Sequence, residues 1–253
     1  MMLLAPAIGG NPYTGDILQR LEPPAWSPGG SWVHPLGTDE LGRDVLARVV
    51  WGGRIAVLVG AVAACVSVVV GVALGLLAAS FGRWLDQLLS RLTDLLMAFP
   101  FLLFAIGMLS ILGPGFWNTV AALSFKGWVE FYRLTRAAVK EQRTKDYVTA
   151  AEAIGASPWR IMIRHILLNV IQPITALGTL RIGTMVVLES SLSFLGLGIQ
   201  PPTPDWGSMI FTGSEYLFDA YWISVFPGLA LVLTVLLINI VGENLQLRAS
   251  RQP

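Results

Sequence analysis

The chain alternates long apolar runs with short charged ones. No charged residue occurs from Ile55 to Gly82, from Leu95 to Phe125, or from Ala220 to Gly242. A helix needs ~20 apolar residues to cross the hydrocarbon core of a bilayer, so each run is long enough to span. Gly113-Pro114-Gly115 interrupts the second run, and Gly and Pro together favour a turn there. This pattern predicts five spans, at about 51–80, 92–112, 116–139, 167–195 and 221–243. Residues 1–35 are rich in Pro and Gly, and 36–50 read as a separate amphipathic helix. Val45, Leu46, Val49 and Val50 share one side of it, with Arg43, Asp44 and Arg48 as its polar residues. In the first span, Gly71 and Gly75 form a GxxxG pair, a packing face that lets a second helix approach closely.

Composition agrees with the pattern. Apolar residues make up 54% of the 253 and charged ones only 13%, against ~25% charged in a soluble domain. The expected class is therefore an all-α membrane protein. A net charge of +1 gives no reason to expect a nucleic-acid partner. The single cysteine, Cys65, lies inside an apolar run and is expected to be a buried structural thiol.

Charge asymmetry orients the spans. Arg133, Arg136, Lys140, Arg143, Lys145, Arg160 and Arg164 cluster in one segment, and Arg83, Arg91 and Arg248 lie in other connections. Residues 113–115 and 196–220 contain no Lys or Arg, while the latter hold Asp205, Glu215 and Asp219. By the positive-inside rule the basic segments face the cytoplasm. The expected layout is an extracytoplasmic segment at 1–50, a transmembrane domain at 51–247 and a cytoplasmic tail at 248–253. Arg20, Arg43, Arg48 and Arg54 fit the outside placement less well.

The basic segment contains a local design. Asp146 is placed to cap a short helix, and Ala150, Ala151 and Ala153 are small, strong helix formers. Gly155 suits the left-handed residue that ends a helix. Ser157 then caps a second helix and Pro158 takes its first position. A short helix of small residues between two spans suits a groove on another protein.

Charges inside spans are expensive, by about 2.5–3.5 kcal/mol each on insertion scales. Arg181 lies near the middle of the fourth span and Glu189 nearer its outer end. They are read either as lining a pathway or as an ion pair with another subunit. Lys126 and Glu130, four apart on the third span, are placed to pair with each other. There is no Gly-rich loop ending in Gly-Lys-Ser or Gly-Lys-Thr, so ATP hydrolysis is not expected of this chain. No catalytic constellation and no metal site stand out, and the histidines, His34 and His165, are far apart.

The segment Asp146 to Arg160 resembles the EAA loop of ABC importer permeases, with Thr149-Ala150-Ala151 first and Gly155 last. HPLGTDELGRD (34–44), the run from Gly127 to Arg136, SLSFLGLG (191–198) and QPPTPDWG (200–207) resemble the dipeptide, oligopeptide and nickel branch. The resemblance covers residue 34 to the C-terminus. Thr149 replaces the family's glutamate, with Glu152 one helical turn on, and Leu168 stands where proline is usual. Met1–Ile8 resembles only the end of the family's first helix, which is expected to be largely missing. The resemblance implies a type I ABC importer transmembrane domain with about five helices. It also implies a coupling helix carrying Thr149, Ala150, Ala151, Glu152, Gly155, Ser157 and Pro158. The implied partners are a homologous second permease, two ABC ATPase subunits that use the ATP, and an extracytoplasmic solute-binding protein, with no cofactor on this chain. The alternative is an autonomous secondary transporter or channel using Arg181 and Glu189. Five spans without an internal repeat weigh against it.

Overall fold

The computed structural model describes residues 10–80 and 83–249. The expectation for Met1–Ile8 and most of that for the tail lie outside the described residues. Eight helices carry the described architecture: α1 (Val45–Ser80), α2 (Arg83–Ala98), α3 (Phe101–Leu112), α4 (Phe116–Gln142), α5 (Asp146–Ala153), α6 (Pro158–Phe194), α7 (Trp206–Ser214) and α8 (Trp222–Ala249). A π-helical turn, Met162–Ile166, lies within α6.

The first and second expected elements both change. Residues 36–44 form turns rather than a helix, and α1 then runs unbroken through the predicted boundary. The 34–44 segment is held in turns by its own polar groups. The Arg43 amide donates to Asp39 Oδ1 at 2.9 Å, and the Ala47 amide donates to Asp44 Oδ1 at 2.7 Å. Asp44 therefore ends the turns and opens the helix. The predicted 92–112 span is two helices, α2 and α3, meeting at 92°. Pro100 sits at the break, where it has no N–H to donate and its ring disfavours helix at Phe99.

Among the described residues, three helices are long and apolar enough to cross a membrane: α1, α6 and residues Trp222–Asn244 of α8. The bent α2–α3 pair makes a fourth if it counts as one span. Helix α4 has 27 residues, about 40 Å at 1.5 Å per residue. It fails on composition alone, because Lys126, Glu130, Arg133 and Arg136 punctuate it. The expected five spans are reached by counting both the bent pair and this charged helix.

The GxxxG face works as read. Gly71 and Gly75 lie against α4, where a Cβ on Gly71 would come 2.5 Å from the Trp128 carbonyl. Two large clusters of the core lie along the bundle. One cluster joins Val59, Ala63, Leu109, Leu123, Met185 and Leu192, and the other joins Phe131, Val139, Ile161, Met162, Ile166 and Ile174. Cys65 is exposed, not buried. It sits with exposed Val66 and Val69 on the face of α1 turned away from α4.

The two ends of the bundle differ in charge. At one, Asp86 of α2 accepts from Arg136 Nη2 at 2.7 Å and from Lys140 Nζ at 2.8 Å, both on α4. At the other, the Gly115 amide donates to the Gly198 carbonyl at 3.1 Å. The N-terminal segment joins this second end. Trp222 Nε1 donates to the Thr38 carbonyl at 3.0 Å, and Trp206 Nε1 to the Val49 carbonyl at 2.8 Å. Two of its four arginines are paired there. Arg43 pairs with Asp39 at 2.7 Å and Glu40 at 2.9 Å, and Arg48 with Asp39 at 3.3 Å. Arginines consumed in this way add little net positive charge to that end.

Candidate functional site

Two sets of residues carry the sequence expectations: the short helix α5 with its turn, and the charges in the middle of the long helices. Helix α5 begins at Asp146, with Lys145 as its N-cap and no side-chain cap. Asp146 is thus the first helical residue rather than the cap. Its carboxylate still favours the positive N-terminal end of the helix dipole. The end follows the expected chemistry closely. The Ala156 amide donates to the Ala151 carbonyl at 3.1 Å and the Gly155 amide to the Glu152 carbonyl at 2.9 Å. This crossed pair is the Schellman closure, and it places Gly155 at φ 79°. A side chain at Gly155 would meet nothing within 4 Å, so what selects glycine is the dihedral angle and not crowding. Ser157 accepts from the Arg160 amide at 3.4 Å, and Pro158 opens α6.

The faces of α5 sort its residues. Val148 and Ala151 are buried against Val139, Ile161 and Met162. Thr149, Ala150, Glu152 and Ala153 are exposed, as are Gly155, Ser157 and Pro158. Ala151 therefore anchors the helix to its own bundle, and Ala150 and Ala153 are the small residues presented outward. Thr149 and Glu152 lie one turn apart on the exposed side.

The mid-helix charges pair differently from expectation. Glu130 of α4 binds Arg181 of α6, not Lys126. Lys126 donates to the Phe99 carbonyl and stands 5.8 Å from the Phe101 ring centroid, so it fastens the bend between α2 and α3. The four-residue spacing puts Lys126 and Glu130 on one face, but better partners reach each of them from other helices. Arg181 and Glu189 have different partners. Arg181 opens onto a cavity of about 410 Å³ lined also by Phe99, Phe101, Lys126, Glu130 and Thr184. Glu189 is fully buried and accepts from Ser193 Oγ at 2.9 Å and Ser190 Oγ at 3.3 Å.

Comparison with known proteins bears directly on this arrangement. Residues 71–251 match the family described as binding-protein-dependent transport system inner membrane component. The chain belongs to that family. It is a multi-pass protein of the inner membrane. It is 42% identical over 226 residues to the di/tripeptide transport system permease protein DppC of Pseudomonas aeruginosa, a match covering 89% of this chain and 75% of that one. Identity is also 42% to the dipeptide transport system permease protein DppC of Escherichia coli K12, with the same coverage. With the DppC of Alkalihalophilus pseudofirmus it is 39%, over 86% of this chain and 72% of the relative. Inward-facing structures of the MetNI methionine ABC transporter share the fold, with a TM-score of 0.66 at 19% identity over 82% of this chain and 97% of that one. The family is one of transport permeases and not of enzymes.

Two features of this family member escaped the sequence reading. Ile154 is 85% exposed and Trp159 59% exposed, on either side of the Gly155 turn. A signal was present, since two large apolar residues flank a tight turn in an otherwise basic segment. The second feature is Asp205, which caps α7 by accepting from the Ser208 amide at 3.1 Å. Its Oδ2 is buried without a hydrogen-bond partner, and burial raises its carboxyl above the ordinary carboxylate range despite the hydrogen bonds that oppose this. Nothing in the spacing of positions 189 and 205 announces that the fold buries both carboxyls.

Proposed function

We propose that this chain is the permease subunit of an ATP-binding-cassette importer for di- and oligopeptides. In this reading it lines the membrane path together with a homologous second permease. Two ATPase subunits drive the cycle, and an extracytoplasmic solute-binding protein delivers the peptide. The basic end of the bundle, with α5, is the cytoplasmic end, and 10–44 and 196–220 lie outside. The permease names of the relatives support the peptide class, and the MetNI likeness supports the fold in which such subunits work.

One observation carries the reading: the exposed turn of α5. Ile154 and Trp159 stand exposed on either side of the Gly155 turn, and large apolar side chains gain nothing by standing in water, so a partner that covers them is favoured. This turn ends a helix whose inner face, Val148 and Ala151, is fixed to the spans. Force on the outer face therefore passes into α4 and α6. Ser157-Pro158 restarts the chain as one helix up to Phe194, with the π turn at Met162–Ile166 just beyond the restart. The turn gives α6 a joint next to the docking helix.

The reading is tested by reconstituting both permeases, the ATPases and the binding protein in proteoliposomes. ATP-dependent uptake of a radiolabelled dipeptide is expected, and uptake by this chain without ATPases would favour the secondary-transporter alternative. Orientation is tested in whole cells on a Cys65→Ser background. A membrane-impermeant maleimide is expected to label Phe218→Cys but not Ser157→Cys. The reverse labelling would overturn the orientation.

A further inference from the structure

The cavity between α4, α6 and the α2–α3 bend is oddly built for a surface that only slides past lipid. Its volume is about 410 Å³, within the ~300–1,000 Å³ of small-molecule sites. Its walls are apolar at Phe99, Phe101 and Met185, yet Lys126, Glu130 and Arg181 all open onto it. Glu130 and Arg181 lie near the midpoints of their helices. Their side chains are 43% and 29% exposed in the isolated chain. An ion pair half uncovered at mid-membrane depth is costly against acyl chains, so this face belongs to a water-filled path or a subunit interface.

The charges do not cancel. Two cations face one carboxylate, which leaves the cavity with a formal charge of +1. Lys126 spends one of its three donors on the Phe99 carbonyl, and its ammonium is 9% exposed as a residue, fixed at the cavity wall. Glu130 stands one helical turn further along α4, about 5–6 Å away at the Cβ level. A cation and a carboxylate thus rise from one helix face, with the Arg181 guanidinium against the carboxylate.

The geometry points to a binding site for the zwitterionic backbone of a short peptide, with its ammonium on Glu130 and its carboxylate between Lys126 and Arg181. A dipeptide carries its two charged ends roughly 7 Å apart when extended, and the cavity wall offers one carboxylate and two cations to receive them. The peptide would replace the internal Glu130–Arg181 pair by two pairs of its own. The guanidinium is suited to take a carboxylate on two N–H groups. The apolar walls accept side chains without selecting among them. In the empty site the internal pair keeps both charges satisfied, so occupancy exchanges partners rather than exposing a bare charge. This inference rests on the peptide reading above and specifies where in the membrane domain the peptide sits.

The test uses the complex of permeases and ATPases in nanodiscs, without the binding protein. Calorimetry compares Ala-Ala with its N-acetylated and C-amidated forms. Free Ala-Ala is expected to bind, and each capped form at least about tenfold more weakly, since a charge is left without its partner. Lys126→Met is expected to abolish discrimination against the amide, and Glu130→Gln discrimination against the acetylated form. Lys126→Arg, which keeps the charge, is expected to retain it, and co-purification of the ATPases shows that each variant assembles. Equal affinity for free and capped peptides, or unchanged discrimination in Lys126→Met and Glu130→Gln, would overturn the site. So would absence of binding in a preparation that transports Ala-Ala once the binding protein is added. If the complete wild-type system transports no Ala-Ala, it is the peptide reading that fails, and this site falls with it.

Discussion

Each end of the bundle carries a short helix between long ones, and the two are fixed by different means. Helix α5, with 8 residues, is closed by bonds among its own neighbours: the Schellman pair at Gly155 and the Ser157 cap. Helix α7, with 9 residues, takes its N-cap from Asp205 but is held by distant groups. Trp206 bonds the Val49 carbonyl, and Ser224 Oγ donates to the Ile210 carbonyl at 3.0 Å. A Cβ at Gly207 would run into the Ser190 carbonyl. Local closure leaves the outer surface of α5 free. Tertiary closure buries α7 at Trp206, Gly207, Met209 and Gly213. A helix that must meet a partner keeps its polar groups satisfied locally. A helix that seals its end of the bundle need not.

Substitutions separate the two designs. The largest effect is expected at Trp206, which is 2% exposed. Trp206→Ala is expected to cost about 3–5 kcal/mol by leaving a cavity, and to lower the melting temperature of the purified subunit or remove it from the membrane fraction. A change of less than 1 kcal/mol would mean that α7 is only laid on the bundle.

Next in size is the contrast between adjacent alanines. Ala151→Arg forces a charge toward Val139 and Met162 and is expected to destabilise the α5 anchor by several kcal/mol, of the order seen for an unpaired buried charge. Ala150→Arg points outward and is expected to leave stability within ~0.5 kcal/mol, while co-purification of the ATPases falls. Equal thermal stability of the two would contradict the inward placement of Ala151.

Ile154→Asp is expected to behave like Ala150→Arg, with folding intact and solute-stimulated ATP hydrolysis reduced, because its side chain contributes surface and not core. Gly155→Val is a smaller change in stability, roughly 1–2 kcal/mol for a β-branched residue at positive φ, with coupling measured by transport per ATP. Gly155→Asn, which tolerates that conformation, is expected to recover most of it. The smallest effect is Ser157→Ala, about 0.5–1 kcal/mol as a lost cap, at the low end because the bond is long at 3.4 Å.

Much of this molecule was legible in the chain. The apolar runs marked α1 and α8, and the expected span at 167–195 fell within α6, because a bilayer imposes a length that composition can meet or miss. The α5 turn was legible down to Gly155, Ser157 and Pro158, since each of these residues acts on its immediate neighbours. Even there the cap slipped by one residue, from Asp146 to Lys145, because both N-terminal positions favour similar chemistry. The boundary of α1 and the break at Pro100 were missed by weighing hydropathy over local hydrogen bonding. Asp44 and Pro100 were visible but outvoted by the runs around them.

Long-range partners were decided only in three dimensions. Lys126 and Glu130 are correctly spaced to pair on one helix, yet Glu130 meets Arg181 and Lys126 meets Phe99. An i, i+4 pair contributes only about 0.2–0.5 kcal/mol, too little to hold a side chain against a partner brought close by packing. Arg181 and Glu189 were grouped because both are charges on one apolar helix. They face different surroundings, one opening on a cavity and the other sealed among serines. Position along a helix fixes depth, whereas the faces a residue meets depend on neighbours that sequence distance does not encode. The chain by itself determined which segments are apolar enough to enter a membrane and how the α5 turn closes. The tertiary structure decided which charges meet, which alanine faces outward, and where a polar cavity opens between them.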